Sequence, residues 1–236
     1  MSKILTIIIL AGGQGTRVKK ALGNIPKLLA PIKNKNFLDY MLDWLHNNFK
    51  KINFELIIAS GFGHDQIKNY CIDNNISVKL SREKQPLGTL GAAANAAYSS
   101  NSDNILILNG DTIFECDLEK TFEDFLKCGS TLSIVQERKD NDRYGGYIIN
   151  KEGYLELSTH NSSYISLGAT YTKKALLVNT YKNFKSIKGL FAMMDQDFIS
   201  KVSALPYVLK GNNSFIDIGT ISSYEESQKI VPLLVS

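Results

Sequence analysis

Residues 4–17, ILTIIILAGGQGTR, decide the fold, because a continuous apolar run passes directly into a loop with three glycines in four positions. Such a run is typical of a strand buried on both faces of a parallel sheet. Ligands of open α/β sheets bind just beyond the carboxyl ends of the strands, where this loop stands. We therefore expect Gly12, Gly13 and Gly15 to turn backbone N–H groups toward a phosphate, helped by positive φ angles.

Strand-like runs alternate with helix-like runs through the first half of the chain. Apolar or β-branched runs stand at 54–60, 76–80, 104–110 and 130–136. Apolar residues recur at helical spacing in 37–49, 64–75, 87–100 and 117–128. This order predicts an α/β, Rossmann-like fold with a mostly parallel (mixed) sheet, helices on both faces and right-handed crossovers.

The pattern changes from about residue 144, where shorter strands are expected together with helices near 173–182, 195–203 and 221–229. We expect this part to form a small mixed β extension that lies over the parallel sheet. No linker rich in Pro, Ser or Gly separates the two parts. The sequence therefore predicts a single domain over 1–236, with functional halves at 1–140 and 141–236.

Composition narrows the classes of function. The 27 basic and 23 acidic side chains are well mixed and leave a net charge of +4, so nucleic acid is a weak candidate partner. The three cysteines form no CxxC pair, which favours the reducing cytoplasm over a disulfide framework or a thiolate metal site. We interpret the apolar start as a strand instead of a signal peptide, and no segment approaches the length that spans a membrane.

Spacing excludes the two best-known phosphate loops. A dinucleotide-binding GxGxxG motif that begins at Gly13 needs a glycine where Val18 stands, and a Walker A loop needs Lys before Ser or Thr. A bare turn between strand and helix explains the glycines, but it does not require Thr16, Arg17 and the later Lys27.

These residues carry a resemblance to a known family. The pattern GGxGTR, followed about ten residues later by Pro-Lys, resembles the signature of the sugar-1-phosphate nucleotidylyltransferases. Further blocks in family order are PLGTLGAA (86–93), LILNGDTIF (106–114), YGGY (144–147) and FIDIGT (215–220). Within the family, the chain is most similar to the heptose-1-phosphate guanylyltransferases.

The resemblance implies that a sugar-1-phosphate oxygen attacks the α-phosphorus of a nucleoside triphosphate and releases pyrophosphate. It implies GTP and a heptose 1-phosphate as substrates, Mg²⁺ as cofactor and a bacterial surface polysaccharide as the destination of the product. The attacking oxygen is already anionic, so no catalytic triad is required, and the three histidines show no triad spacing.

The family motifs also imply roles for single residues. Arg17 is expected to hold the leaving phosphates, and Lys27 to bridge the α-phosphate and the incoming sugar phosphate. Asp111 and Asp217 supply the hard oxygen ligands that Mg²⁺ prefers. We assign Arg17, Lys27 and Asp111 as catalytic and the two aspartates as metal ligands.

Binding residues follow from the same blocks. For the nucleotide we predict Leu10, Ala11, Gly12, Gly13, Gly15, Thr16, Arg17, Gln85, Pro86, Gly88, Thr89, Asn109 and Gly110. For the sugar we predict Gly146, Asn161, Gly168 and Asp197. The first half of the chain would bind the nucleotide and the second half the sugar. Sugar recognition departs from the family, because Thr159 and His160 stand where the family has Glu-Lys.

Several alternatives stay open. The same motifs are compatible with other substrates, either mannose 1-phosphate with GTP or glucose 1-phosphate with another triphosphate. A second alternative is a noncatalytic relative that senses nucleotide sugars. Such a protein would have little use for the complete set of charged residues, which are Arg17, Lys27, Asp111 and Asp217. A nicotinamide-dependent dehydrogenase is disfavoured by Val18 and by the two cations. A homodimer is common among enzymes of this size.

Overall fold

The centre of the sheet is β1 (Leu5–Ala11), the apolar run that opens the chain. It pairs in parallel with β4 (Phe54–Ser60) on one side and β6 (Asn104–Asn109) on the other. The computed structural model describes residues 5–138, 146–158, 162–185, 202–210 and 214–235.

Nine of the described strands share one mixed sheet. Besides β1, β4 and β6 they are β5 (Lys79–Arg82), β8 (Leu132–Glu137), β9 (Gly146–Ile149), β10 (Leu155–Ser158), β11 (Tyr164–Lys173) and β12 (Leu205–Leu209). Their order is β10-β9-β11-β6-β1-β4-β5, and β8 lies beside β11 and β12. Two antiparallel pairs of strands lie outside it, formed by β2 (Pro31–Ile32) with β3 (Lys35–Asn36) and by β7 (Thr112–Phe114) with β13 (Phe215–Asp217).

Helices cover both faces of the sheet. They are α1 (Lys19–Leu22), α2 (Phe37–Asn48), α3 (His64–Asp73), α4 (Gly88–Ala97), α5 (Leu118–Cys128), α6 (Lys174–Lys185) and α7 (Ile221–Val235), with a 3₁₀ turn at Lys27–Leu29. Because side chains alternate along a strand, Ile7 and Ile9 pack with α2, α3, α5 and α7, whereas Ile8 packs with α4 and α6. The predicted α/β class is confirmed.

Local chemistry explains where the helices begin. A capping box of Asn36 and Asp39 starts α2, and the Asp117 carboxylate accepts a hydrogen bond from Lys120 N at the start of α5. Trp44 on α2 is buried and donates from Nε1 to the Phe114 carbonyl oxygen at 3.0 Å, so it belongs to the core.

The second half differs from its prediction in one respect. Its strands extend the parallel sheet sideways instead of lying over it, because β11 pairs antiparallel with β6 and also with β8. A register shift between Ser166 and Ala169 bends β11, and its first residues then pair with β9.

Some boundaries also differ. The third strand begins at Lys79 instead of residue 76, because Asn75 has a φ of 53° and Ile76 N bonds back to the Cys71 carbonyl in a turn after α3. The last helix continues to Val235, and most of the helix expected at 195–203 lies outside the described residues. Within the described ranges, no helix combines the length and the apolar character that crossing a bilayer requires.

Candidate active site

A cleft of about 900 Å³ lies beyond the carboxyl ends of β1, β4 and β6, next to the start of α4. The predicted residues on its wall are Leu10, Ala11, Gly12, Gly13, Lys27, Gln85, Pro86, Gly88, Thr89, Asn109, Gly110 and Asp111. The fold therefore brings three sequence blocks, separated by up to about a hundred positions, to one cleft.

The glycines of the first loop differ in what they provide. Gly15 alone among them has a positive φ, 60°, and the Lys27 side chain lies against it. A Cβ atom at Gly13 would meet nothing within 4 Å, so this position leaves the cleft open to a bulky ligand. The positive φ angles expected at Gly12 and Gly13 are absent, and that expectation was wrong.

Gly110 explains how closely the loops approach each other. Its N–H donates to the Leu10 carbonyl oxygen at 2.9 Å, and a Cβ atom would lie 2.5 Å from that oxygen. Only glycine permits this contact between the ends of β1 and β6, which sets the floor of the cleft.

Lys27 and Asp111 form an ion pair, with Lys27 Nζ 2.6 Å from Asp111 Oδ2. Both side chains are largely buried, 20% and 26% exposed. The other carboxylate oxygen of Asp111 accepts from Thr112 Oγ1 at 3.2 Å. Pro26 has a φ of −65° and precedes the 3₁₀ turn that directs Lys27 to this position.

Asp217 reaches the same region from the second half of the chain. Its strand β13 pairs with β7, and the next residue, Ile218, donates its N–H to the Asp111 carbonyl oxygen at 2.9 Å. Asp217 is 8% exposed, and its Oδ1 accepts from Gly219 N at 2.6 Å. A hydrogen bond thus joins the backbone of Asp111 to the residue that follows Asp217.

Arg17, Thr16 and Gly15 do not line the cleft. Arg17 is exposed, and its guanidinium lies beside Gly219, 3.5 Å from the position that a Cβ atom would take there. Arg17 therefore lies near Asp217, on the side of the Lys27–Asp111 pair that faces β13.

The predicted sugar residues are spread out. Gly168 has a φ of 71° and lies against the Asn109 side chain, whereas Gly146 leaves room for Ser162 and the Arg138 guanidinium. Arg138 donates to Ser162 Oγ and, through its backbone N–H, to the Ser163 carbonyl oxygen. The predictions for Asn161 and Asp197, and the departure at Thr159 and His160, lie outside the described residues.

Sequence reasoning missed part of the cleft wall. The additional residues are Gln14, Leu28, Gly61, Phe62, Arg82, Glu83, Lys84 and Ala92. Gly61 and Phe62 follow β4, the parallel neighbour of β1, so the rule that ligands bind at carboxyl ends would have found them. Glu83 begins the block in which the sequence singled out Gln85 and Gly88 for the base.

The remaining reactive side chains have structural contacts. His64 Nδ1 lies 2.7 Å from the fully buried Ser60 Oγ, and burial, followed by the nearby Arg82, lowers the His64 pKa. His46 bonds the Leu42 carbonyl oxygen within α2. All three cysteines are free, as expected. Over the described part of the chain, no three His, Cys, Asp or Glu side chains group as a complete metal site.

The cleft thus combines a glycine-rich loop with a paired lysine and aspartate. The sequence matches the nucleotidyl transferase family over residues 6–232, so the chain belongs to this family. The family predicted from the sequence motifs is confirmed.

Individual relatives are similar over nearly their whole length. A D-glycero-alpha-D-manno-heptose 1-phosphate guanylyltransferase of Aneurinibacillus thermoaerophilus is 32% identical over 94% of this chain and 96% of its own. The enzyme of that name from Campylobacter jejuni subsp. jejuni is 32% identical over 92% of this chain and 96% of its own. The crystal structure of HddC from Yersinia pseudotuberculosis complexed with GMP-PN has a TM-score of 0.77 and 27% identity, covering 95% of this chain and 98% of HddC.

Proposed function

We propose that this chain joins D-glycero-alpha-D-manno-heptose 1-phosphate to GTP and forms GDP-heptose and pyrophosphate. Two similar relatives carry the name of this guanylyltransferase, and HddC, of the same fold, was crystallised with GMP-PN. The observation that supports catalysis most strongly is the Lys27–Asp111 pair at the cleft, next to a carboxylate from β13.

The positions of Asp111 and Asp217 fit a magnesium ion. Mg²⁺ is commonly bound through one or two carboxylates together with substrate phosphates, instead of a complete protein cage. Asp111 directly precedes β7, Asp217 ends its antiparallel partner β13, and both side chains offer only oxygen ligands. When bound there, Mg²⁺ would neutralise phosphate charge. Because further ligands must come from the triphosphate, the ion and the nucleotide should bind together.

Lys27 is the residue we place closest to the reacting atoms. Its ammonium group neutralises Asp111 in the free protein, and it would turn to the α-phosphate and the sugar phosphate when they enter. Holding two polyanions in line is most of the catalytic task, since the phosphate nucleophile needs no base. Gly13 leaves the cleft open for this approach, and Arg17 would bind the leaving pyrophosphate from the side of Gly219.

The binding surfaces follow the two halves of the chain. We assign the nucleotide to the first-half residues on the cleft wall and the sugar to Gly168, Gly146 and the residues near them. We also propose that 1–236 acts as one domain, since strands from both halves share the nine-stranded sheet. The free cysteines support a reducing compartment such as the cytoplasm, and a homodimer stays a prediction.

The test is a matrix of four nucleoside triphosphates against heptose, mannose and glucose 1-phosphates with Mg²⁺, measured by pyrophosphate release. We expect the highest rate with GTP and the heptose 1-phosphate. A higher rate with mannose or glucose 1-phosphate would assign the chain to one of the alternative transferases. Absence of pyrophosphate from every combination, with folded protein, would favour a noncatalytic nucleotide-sugar sensor.

A further inference from the structure

The sugar side of the site carries a cationic side chain, Arg138, that none of the sequence motifs marked. Arg138 directly follows β8, and β8 runs parallel to β6 because both strands pair antiparallel with β11. The carboxyl ends of β8 and β6 therefore lie at the same edge of the sheet, which is the edge that carries the cleft. Arg138 is half-buried at this edge.

Local contacts hold the Arg138 side chain in place. Its Nη1 donates to Ser162 Oγ, and its backbone N–H donates to the Ser163 carbonyl oxygen at 2.8 Å. The guanidinium also lies against Gly146, with Nη1 2.8 Å from the position that a Cβ atom would take there. A side chain at position 146 would collide with both Arg138 and Ser162, so the glycine makes room for them. The place that the motif assigns to the sugar is thus bordered by a guanidinium.

The register of β11 gives the distance from Arg138 to the cleft. Gly168 lies against Asn109 on the cleft wall, and Ile165, three residues earlier in β11, pairs with Gly146. At a rise of about 3.3 Å per residue, these three steps correspond to ~10 Å. The reacting phosphates belong beside the Lys27–Asp111 pair. A side chain this far beyond the cleft wall would therefore meet the end of the sugar that is remote from its phosphate.

The remote end of the sugar is where heptose and mannose differ. D-glycero-alpha-D-manno-heptose carries neighbouring hydroxyl groups on C6 and C7, whereas mannose ends in a single hydroxyl group on C6. A guanidinium presents its N–H donors in a planar fork, which matches two neighbouring oxygen atoms. An arginine at this place is therefore suited to distinguish the two sugars.

We propose that Arg138 selects heptose over mannose by donating hydrogen bonds to the C6 and C7 hydroxyl oxygens. Ser162 is a positioning residue that fixes the guanidinium, and Gly146 leaves the space that both side chains need. This inference rests on the proposed guanylyltransferase function and names the source of its sugar preference.

The test is calorimetric binding of GDP-heptose and GDP-mannose, two ligands that differ only in the C7 arm. We expect the wild-type protein to bind GDP-heptose more tightly. Arg138→Met should lose about 10-fold or more in affinity for GDP-heptose and keep its affinity for GDP-mannose, since hydrogen bonds from a charged group are lost with one ligand only. Ser162→Ala should lose part of the same preference, because the guanidinium is then held less firmly.

Lys151→Met is the matched control, because it removes a cation from an exposed turn between β9 and β10. It should keep the wild-type preference, and thermal unfolding confirms that each variant is folded. Arg138→Lys is the second variant if Arg138→Met does not fold. It keeps the charge without the planar fork, and it should lose the preference as well. An equal loss of affinity for both ligands, or an unchanged preference for GDP-heptose, would overturn the proposal.

This inference and the proposed function fail separately. Binding requires no turnover, so a loss of preference in Arg138→Met supports the role of Arg138 even where no pyrophosphate is released. If the wild type releases pyrophosphate with GTP and a sugar 1-phosphate but binds GDP-heptose and GDP-mannose equally, the transferase activity stands and the role of Arg138 is wrong.

Discussion

At the scale of residues, the pair of Lys27 and Asp111 is the most informative contact in the molecule. Each residue was predicted from its own motif, but their direct contact at 2.6 Å was not, because 84 positions separate them. The contact means that each group neutralises the other in the free protein. Under the proposed function, both groups would become available when phosphates and Mg²⁺ enter together.

We expect Lys27→Ala, Arg17→Ala and Asp111→Ala each to lower turnover by two or more orders of magnitude. Stabilising the charge that moves onto the leaving pyrophosphate is worth ~3 kcal/mol per group. The measurement is the rate of pyrophosphate release at saturating substrates, together with thermal unfolding. Lys127→Ala, at an exposed position on α5, is the control and should retain full activity. A variant of the three that keeps a near wild-type rate would lose its assigned role.

Residue identity was easier to predict than the reason for it. The sequence marked Gly12, Gly13 and Gly15 together, yet only Gly15 needs its backbone angle, and Gly13 provides open space. Arg17 was expected to hold the leaving phosphates, and its guanidinium lies beside Gly219 instead of on the cleft wall. The motif predicts which residues take part, whereas tertiary packing determines the direction of their side chains.

At the scale of elements, the junction of β1 and β6 can be tested with two glycines. Gly110→Ala forces a methyl group against the Leu10 carbonyl oxygen, so we expect a loss of stability of about 1–3 kcal/mol. Gly13→Ala, which meets no atom within 4 Å, should leave stability unchanged within about 0.5 kcal/mol while it weakens triphosphate binding. Chemical denaturation and calorimetric binding of GTP separate the two effects. Equal stability of both variants would contradict this account of the junction.

The amino-terminal end of β4, opposite to the end that faces the cleft, predicts a pH dependence of stability. Burial raises the pKa of Glu55, but hydrogen bonds from Asn101, Lys79 and Thr6 outweigh it and leave the pKa below its ordinary value of 4.5. The charged form is therefore favoured by folding. Its contribution is fully present above about pH 4.5 and is lost as the pH falls through the lower, folded value.

We expect Glu55→Gln to lower the free energy of unfolding by about 1–2 kcal/mol at pH 7, since it weakens hydrogen bonds to a charged group. The difference between variant and wild type should shrink as the pH falls from 5 to 3. Denaturant unfolding at a series of pH values measures it. Glu123→Gln, on the exposed part of α5, should show no such trend, and a constant difference for Glu55→Gln across the range would refute the linkage.

Element positions were largely predictable, because hydrophobic period and capping are local properties. The starts of α2 and α5 follow from Asn36 and Asp117, and β1, β4 and β6 agree with the predicted runs within a residue or two. The shift of β5 arises from the turn at Asn75, a non-glycine residue with positive φ that composition does not mark.

At the scale of the whole molecule, strand partners were the least predictable feature. The short runs of the second half carry the period of strands but no sign of which edge they join. Their antiparallel pairing through β11 makes one sheet that reaches from the cleft to Gly146. This continuity is the structural reason to expect both substrates on one rigid support.

The activity we propose for this cleft is the joining of a heptose 1-phosphate to a guanylyl group. The most direct test incubates the purified protein with GTP, D-glycero-alpha-D-manno-heptose 1-phosphate and Mg²⁺, and quantifies the nucleotide sugar by mass spectrometry. We predict GDP-heptose and pyrophosphate in equal amounts, with no product from Asp111→Ala. No GDP-heptose from folded wild-type protein, or a faster reaction with mannose 1-phosphate in its place, would contradict the account.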